Sequence, residues 1–379
     1  MIVGALRCYI YSSTLSYRST RTTAAVYLSK LLARRHRIKM AKVNAGAALL
    51  SLCLLLACSA GGTQAAYVDV EGTVRTEVEK AIKSNPGIGA ALVRLVFHDC
   101  WVNGCDGSVL LDKTTSGGNT EKKAINNIGL DGFNLIDTIK YKLGNSVSCA
   151  DIVVFAARDA ARYLSGGKIT YSVPSGRKDG IVSSAAAADA ILPQSTFEFQ
   201  QLVDNFAKKN FTQEELVILS GAHSIGVSHL SSFQDRLNDS TATPIDDNYK
   251  QALVADVEAQ KKSQNTPDPI EKNNIRDMSS SFQTTAGYDP TGVNTAAKGA
   301  LDNSYYHANL QNRVLFKSDW VMRTDSKAGD DMAEYMNNAT KWNNDFAAAM
   351  VKLSKLPAEG STRYEIRKNC RVTNQNYYY

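Results

Sequence analysis

Apolar residues in this chain recur at three- and four-residue spacing in one segment after another, and a strict two-residue alternation is scarce. Val70 to Lys83 places Val74, Val78 and Ile82 on one face, and Ser84-Asn85-Pro86-Gly87 breaks it. Further helices are expected over Ile88 to His98, Phe133 to Leu143, Phe197 to Ala207, Glu214 to Leu219, Asn303 to Gln311 and Met332 to Leu353. Ser148-Cys149-Ala150-Asp151 caps a long apolar helix to Leu164, stopped by Gly166-Gly167. Lys168 to Val173 is the one short strand candidate. Asp256 to Gly292 is polar and reads largely as surface loop. The expected fold class is mainly α with very little β. At 379 residues, 44% hydrophobic and 21% charged, the chain has ordinary globular composition.

The net charge of +6 invites a nucleic-acid reading, but its distribution removes it. Residues 1–68 carry nine Lys or Arg and no acid, leaving 34 basic against 37 acidic residues in the other 311. Within that leader, Met40-Ala41-Lys42 precedes an apolar run from Ala45 to Ala60 and a small-residue exit with Thr63 and Ala65 at a plausible cleavage site. Residues 40–65 therefore read as a secretory signal peptide. The run is shorter than the roughly 20 residues a membrane span needs, so no membrane anchor is expected in the mature chain. Residues 1–39 form a basic extension, read either as an organellar transit peptide or as sequence upstream of a start at Met40. Residues 66–379 would be the mature domain.

Cys8, Cys53 and Cys58 fall in the leader, so the mature chain keeps Cys100, Cys105, Cys149 and Cys370. In a secreted protein four cysteines suggest two disulfides, with three connectivities open. Pairing Cys100 with Cys105 across a short loop would leave Cys149 for Cys370. Sequons at Asn210, Asn238 and Asn338 lend weak support to a secretory route.

Arg94 and His98 stand at i and i+4, which puts both side chains on one helix face. A neutral imidazole beside a fixed cation can take a proton from a weak acid while the cation stabilises the anion formed. Phe97 would fence such a pocket. Asp99, Val102, Gly104, Asp106 and Ser108 follow within ten residues. They offer two carboxylates, a hydroxyl and two backbone carbonyls, an all-oxygen set suited to Ca²⁺. A zinc site from His98, Cys100 and Cys105 is the competing reading, and secretion disfavours it.

Arg94-Leu-Val-Phe-His98-Asp-Cys100, continued by Trp101-Val-Asn-Gly-Cys105-Asp-Gly-Ser108, resembles the distal signature of the plant secretory (class III) haem peroxidases. Leu219-Ser-Gly-Ala-His223-Ser-Ile-Gly226 resembles the proximal haem-ligand motif of the same family. Ser148–Asp151, Gly176–Asp179, Leu192-Pro193, Ser318-Asp319 and Ile366–Arg371 follow its order. The resemblance covers nearly all of residues 70–373. It implies a two-lobed helical fold with one haem b between distal and proximal halves, and a monomeric enzyme that reduces H2O2 and oxidises small phenols in one-electron steps. His98 maps to the distal base, Arg94 to the charge stabiliser and Asn127 to the amide orienting His98. His223 maps to the haem ligand, Asp319 to its carboxylate partner, and the Pro193 carbonyl to the reducing-substrate contact. His229 and His307 match no motif and are expected to be structural. A non-catalytic cell-wall component on the same fold would need a lost catalytic group, and none of these is missing.

The chain departs from the family in two places. The family usually carries four disulfides, and here Tyr67, the Gly144–Val147 region, Leu230 and Val257 stand where the missing cysteines would be. A second, proximal calcium site maps to Ser224, Asn294 and Asp302. Asn294 stands where the family has Asp, and Ala297 where it has a hydroxyl, so that site is expected to be weak.

Overall fold

The computed structural model describes residues 68–114, 117–238, 242–278 and 299–376. The leader with its signal-peptide reading, together with Tyr67, Asn294 and Ala297, lies outside them.

Helix α1 (Val70–Ser84) is capped by Asp69, whose carboxylate accepts the Gly72 N–H, and buries Val74, Val78 and Ile82. Helix α2 (Gly87–Asn103) runs five residues beyond the expected end at His98. The reason is that Cys100, Trp101 and Val102 continue the apolar surface until Gly104, at φ +81°, stops it. A Cβ at Gly104 would fall 1.8 Å from the Pro357 carbonyl oxygen, so that close approach needs glycine. Helix α3 (Phe133–Leu143) and helix α4 (Cys149–Leu164) fall where the periodicity placed them, and Ser148 caps α4 at Asp151 N. Helix α4 is buried along most of its length and packs against α1, α2 and α3. These four helices form one half of the core.

The other half is built around α7 (Gln213–Ser220). It opens with reciprocal bonds between Thr212 and Glu215, at 3.1 and 2.7 Å. Before it stand α5 (Ala185–Ile191) and α6 (Phe199–Ala207). After it come α8 (Gln234–Asn238) and α9 (Asp247–Gln264). Then follow α10 (Ser304–Leu310), α11 (Lys317–Trp320), α12 (Ser326–Asn337) and α13 (Ala339–Leu353). Helix α7 packs against α6, α12 and α13, and α13 reaches back to α2. A ladder of aromatic rings joins the halves. Phe97 stacks on Trp101 at 4.6 Å, and Trp101 meets Phe206 and Phe211 at 4.6 and 5.3 Å.

Three sequence expectations are corrected. Lys168 to Val173 is irregular chain. The strand pairs are instead β1 (Asp179–Gly180) with β4 (Tyr364–Glu365), and β2 (Val227–His229) with β3 (Ile270–Lys272), both antiparallel. Met332 to Leu353 is two helices, because Asn338 is extended at φ −134° and its side chain caps α13 at Lys341 N. The start of the expected loop at Asp256 belongs to α9, whose end after Val257 is polar and buries no residue, so nothing there marks a helix.

Two disulfides close the domain, Cys100–Cys105 at the end of α2 and Cys149–Cys370 between α4 and the C-terminal segment. Alkylating a chain that starts at Ala66, denatured but unreduced, should add no alkyl group. A mass gain of two or more groups would contradict this pairing.

Candidate active site

Helix α2 presents Arg94 and His98 together, one turn apart. The Arg94 Nε–H donates to His98 Nε2 at 3.3 Å, and Arg94 Nη2 donates to the Asn126 carbonyl at 2.9 Å. On the other edge of the ring, His98 Nδ1 lies 2.5 Å from Asn127 Oδ1. The Asn127 amide is itself oriented, because its Nδ2 donates to the Glu121 carbonyl at 2.7 Å. Asn127 Oδ1 is therefore an acceptor, the proton sits on Nδ1, and Nε2 carries the lone pair beside the guanidinium. Burial, then the charge of Arg94, press the His98 pKa down to about 3 against the raising bond to Asn127. The imidazole is a neutral base across the working range.

His223 lies on a 3-10 turn, Gly221–Ser224, directly after α7. The turn sits hard against α13: a Cβ on Gly221 would meet the Trp342 ring at 2.7 Å. His223 Nδ1 bonds Asp319 Oδ1 at 2.8 Å. Asp319, on α11, is 4% exposed, whereas 41% of the His223 side chain is open. The ring is thus anchored by its Nδ1 edge and open on its other side. Burial opposes a charge on His223, but Asp319 outweighs it and lifts the pKa above the ordinary value. His223 adds a small downward push on the His98 pKa and Arg94 one on that of His223, so the two sites lie within reach of each other's charge.

Several braces were invisible in the sequence. Tyr305 Oη donates to the same Asp319 oxygen at 3.0 Å, and Asn309 Nδ2 donates to the Asp319 carbonyl at 2.7 Å. Phe316 stands edge-on to His223 at 5.2 Å. Tyr305 and Asn309 share α10 and Phe316 precedes α11, all far along the chain from His223, so no local motif marks them. Phe97, expected as a fence, lies edge-on to His98 at 6.0 Å with its face on Trp101. Pro193 is half-buried between two ties. Asn205 holds the Ile191 carbonyl at 2.6 Å and also accepts the Trp101 Nε1–H, and Ser318 N holds the Ser195 carbonyl at 2.8 Å.

Behind α2 lies a buried acidic cluster. Asp99, Asp106, Ser108 and Glu121 are fully buried. Asp99 accepts the Gly107 N–H at 3.0 Å and Asp106 accepts the Ser108 N–H at 2.9 Å. Asp106 Oδ2 and Glu121 Oε2 have no hydrogen-bond partner among the described residues. Burial and mutual repulsion raise the pKa values of Asp99 and Glu121, and burial raises that of Asp106. Buried carboxylates with unsatisfied oxygens fit a bound cation. No described group of three or more His, Cys, Asp or Glu is set to hold a metal, so carbonyls and the hydroxyl must complete any site here. The Val102 carbonyl accepts Lys209 Nζ at 3.2 Å and keeps a second lone pair.

The proximal set is different. Ser224 and Asp302 come together, with Asp302 N on Ser224 Oγ at 3.4 Å. Asn294 is outside the described residues, and the carboxylate that does approach is Asp277, which accepts the Gly299 N–H at 2.9 Å.

Comparison with known proteins points to one family. The family described as Peroxidase matches residues 74–338. "Peroxidase 2" of Zea mays is 40% identical over 311 residues, covering 80% of this chain and 85% of the relative. "Peroxidase 5" of Vitis vinifera is 39% identical, covering 80% and 88%. "Peroxidase 64" of Arabidopsis thaliana is 38% identical, covering 79% and 87%.

The two rings should titrate apart in the cofactor-free protein. NMR at pH 5 should find His98 neutral and His223 protonated, with His98 gaining its proton only near pH 3. Titration of His98 near its ordinary value of 6.5 would contradict the cleft's electrostatics.

Proposed function

The chain belongs to the plant class III haem peroxidase family, and from that premise we propose that it is a secreted, monomeric enzyme that reduces H2O2 and oxidises small phenols one electron at a time. Peroxidase activity, H2O2 and haem come with the family. The residue roles, the phenolic donor and the secreted location are our reading. In it residues 40–65 are removed and residues 66–379 act as the catalytic domain, in peroxide removal and cell-wall phenol or lignin chemistry.

The observation that carries the reading is the pair of imidazoles with opposite settings on one cleft. His223 Nε2 is the atom free to hold the haem iron, and Asp319 on Nδ1 makes the ring a stronger donor. When bound, the haem supplies a ferric iron that takes two oxidising equivalents from H2O2 and passes them on singly. His98 Nε2 takes the proton from one peroxide oxygen and returns it to the other, which leaves as water. Arg94 stabilises the negative charge that develops as the O–O bond breaks. Asn127, held by Glu121, keeps the His98 proton on Nδ1 so that Nε2 stays available. The Pro193 carbonyl is assigned to the donor phenol, and its two flanking ties fix where it stands.

We assign one Ca²⁺ to Asp99, Val102, Gly104, Asp106 and Ser108. The support is the buried, unsatisfied carboxylate cluster, whose charge a cation would neutralise. Such an ion would also stiffen the Glu121 segment that orients Asn127. Secretion is supported by the signal-like segment, the two disulfides and the exposure of Asn210, Asn238 and Asn338, which suits glycosylation. No described helix is long and apolar enough to cross a membrane.

Replacing His98 by Ala should slow the reaction with H2O2 by about 10²–10⁴-fold while haem stays bound. His223→Ala should instead lose haem during gel filtration. Stopped-flow rates near wild type for His98→Ala would overturn its assignment.

A further inference from the structure

The turn that carries His223 is tied to a part of the molecule where the family's second calcium is expected, and the described residues there do not fit a metal. Three oxygens that could face a cation are already committed to N–H donors from one short segment. Asp302 Oδ2 accepts Arg276 Nη1 at 2.8 Å, and the Ala300 carbonyl accepts Arg276 Nη2 at 2.8 Å. The Ser224 carbonyl accepts Asn274 Nδ2 at 3.4 Å. Asp277 Oδ1 lies 3.6 Å from Arg276 Nε, so the guanidinium sits between two carboxylates. Its side chain is 0% exposed, which is rare for arginine unless it is paired, and here two carboxylates flank it. A divalent ion entering beside this fixed charge would meet repulsion, and the carboxylates it would seek are neutralised already.

We propose that Arg276 is a built-in cation standing where the family holds its second calcium. The guanidinium is planar, keeps its charge at any working pH and cannot dissociate from the chain. It pulls Asp302 toward the 274–277 segment, and Asp302 N and Asn274 Nδ2 then hold Ser224, the residue after the haem ligand. The position of His223 is thereby fixed without a metal, whatever the calcium concentration outside. The inference rests on the family reading for where a calcium would otherwise be. It does not need the distal calcium to exist.

The test counts calcium bound per chain in haem-loaded protein after exhaustive dialysis at fixed micromolar Ca²⁺, for wild type and Arg276→Ala. The variant uncovers Asp277 and Asp302, so it should bind one calcium more than wild type. Its melting temperature should also rise with added Ca²⁺ by more than that of wild type. Equal counts with equal calcium response would overturn the proposal. Wild type alone is decisive if the variant does not fold: two calcium ions per chain overturn the assignment, and one or none support it. None would remove the distal calcium reading while leaving Arg276 in its role, so the two failures are distinguishable.

Discussion

The chemistry of this protein depends on a single hydrogen bond, from His98 Nδ1 to Asn127 Oδ1. That bond decides which ring nitrogen carries the proton and therefore whether a base faces the cleft at all. Removing the Asn127 carbonyl would free the ring to rotate and to change tautomer. The bond is itself imposed from outside, because the Glu121 carbonyl fixes which way the Asn127 amide points. Glu121 in turn places its carboxyl in the buried acidic cluster behind α2. Base, orienting amide and acidic cluster are thus one continuous unit, built on two segments of chain.

The facing side is arranged by the opposite principle. His98 is kept neutral by burial and a cationic neighbour, whereas His223 is supplied with charge by Asp319. Asp319 Oδ1 is shared between His223 and the Tyr305 hydroxyl, so the carboxylate's basicity is divided between two donors. A salt bridge at Arg276 fixes the turn from behind. The two imidazoles are thus set in opposite ways, one turned by the Asn127 amide and the other backed by the Asp319 carboxylate.

What the sequence disclosed follows from distance along the chain. Arg94 and His98 could be paired by helical period alone, and the ring of potential oxygen ligands after them is equally local. The helices with three or more apolar residues on one face were legible, including α3 and α4 at their observed ends. The end of helix α9 was not, since after Val257 it is polar and buries no residue, and Lys168 to Val173 had the look of a strand without a partner to pair with. His223 and Asp319 are 96 residues apart and were joined only through family resemblance. Nothing local marks Glu121, Tyr305, Asn309 or Arg276, whose roles arise from contacts that only folding creates. Asn294 lies outside the described residues, and among these Asp277 comes to Arg276 and Gly299.

The central claim is that these two imidazoles and Arg94 form one peroxide-reducing centre, and its most direct test is optical. The haem-loaded protein should show a Soret band that changes within milliseconds of adding one equivalent of H2O2. It should then return to its starting form on adding two equivalents of a one-electron phenolic donor. A Soret band unmoved by H2O2 would contradict the account.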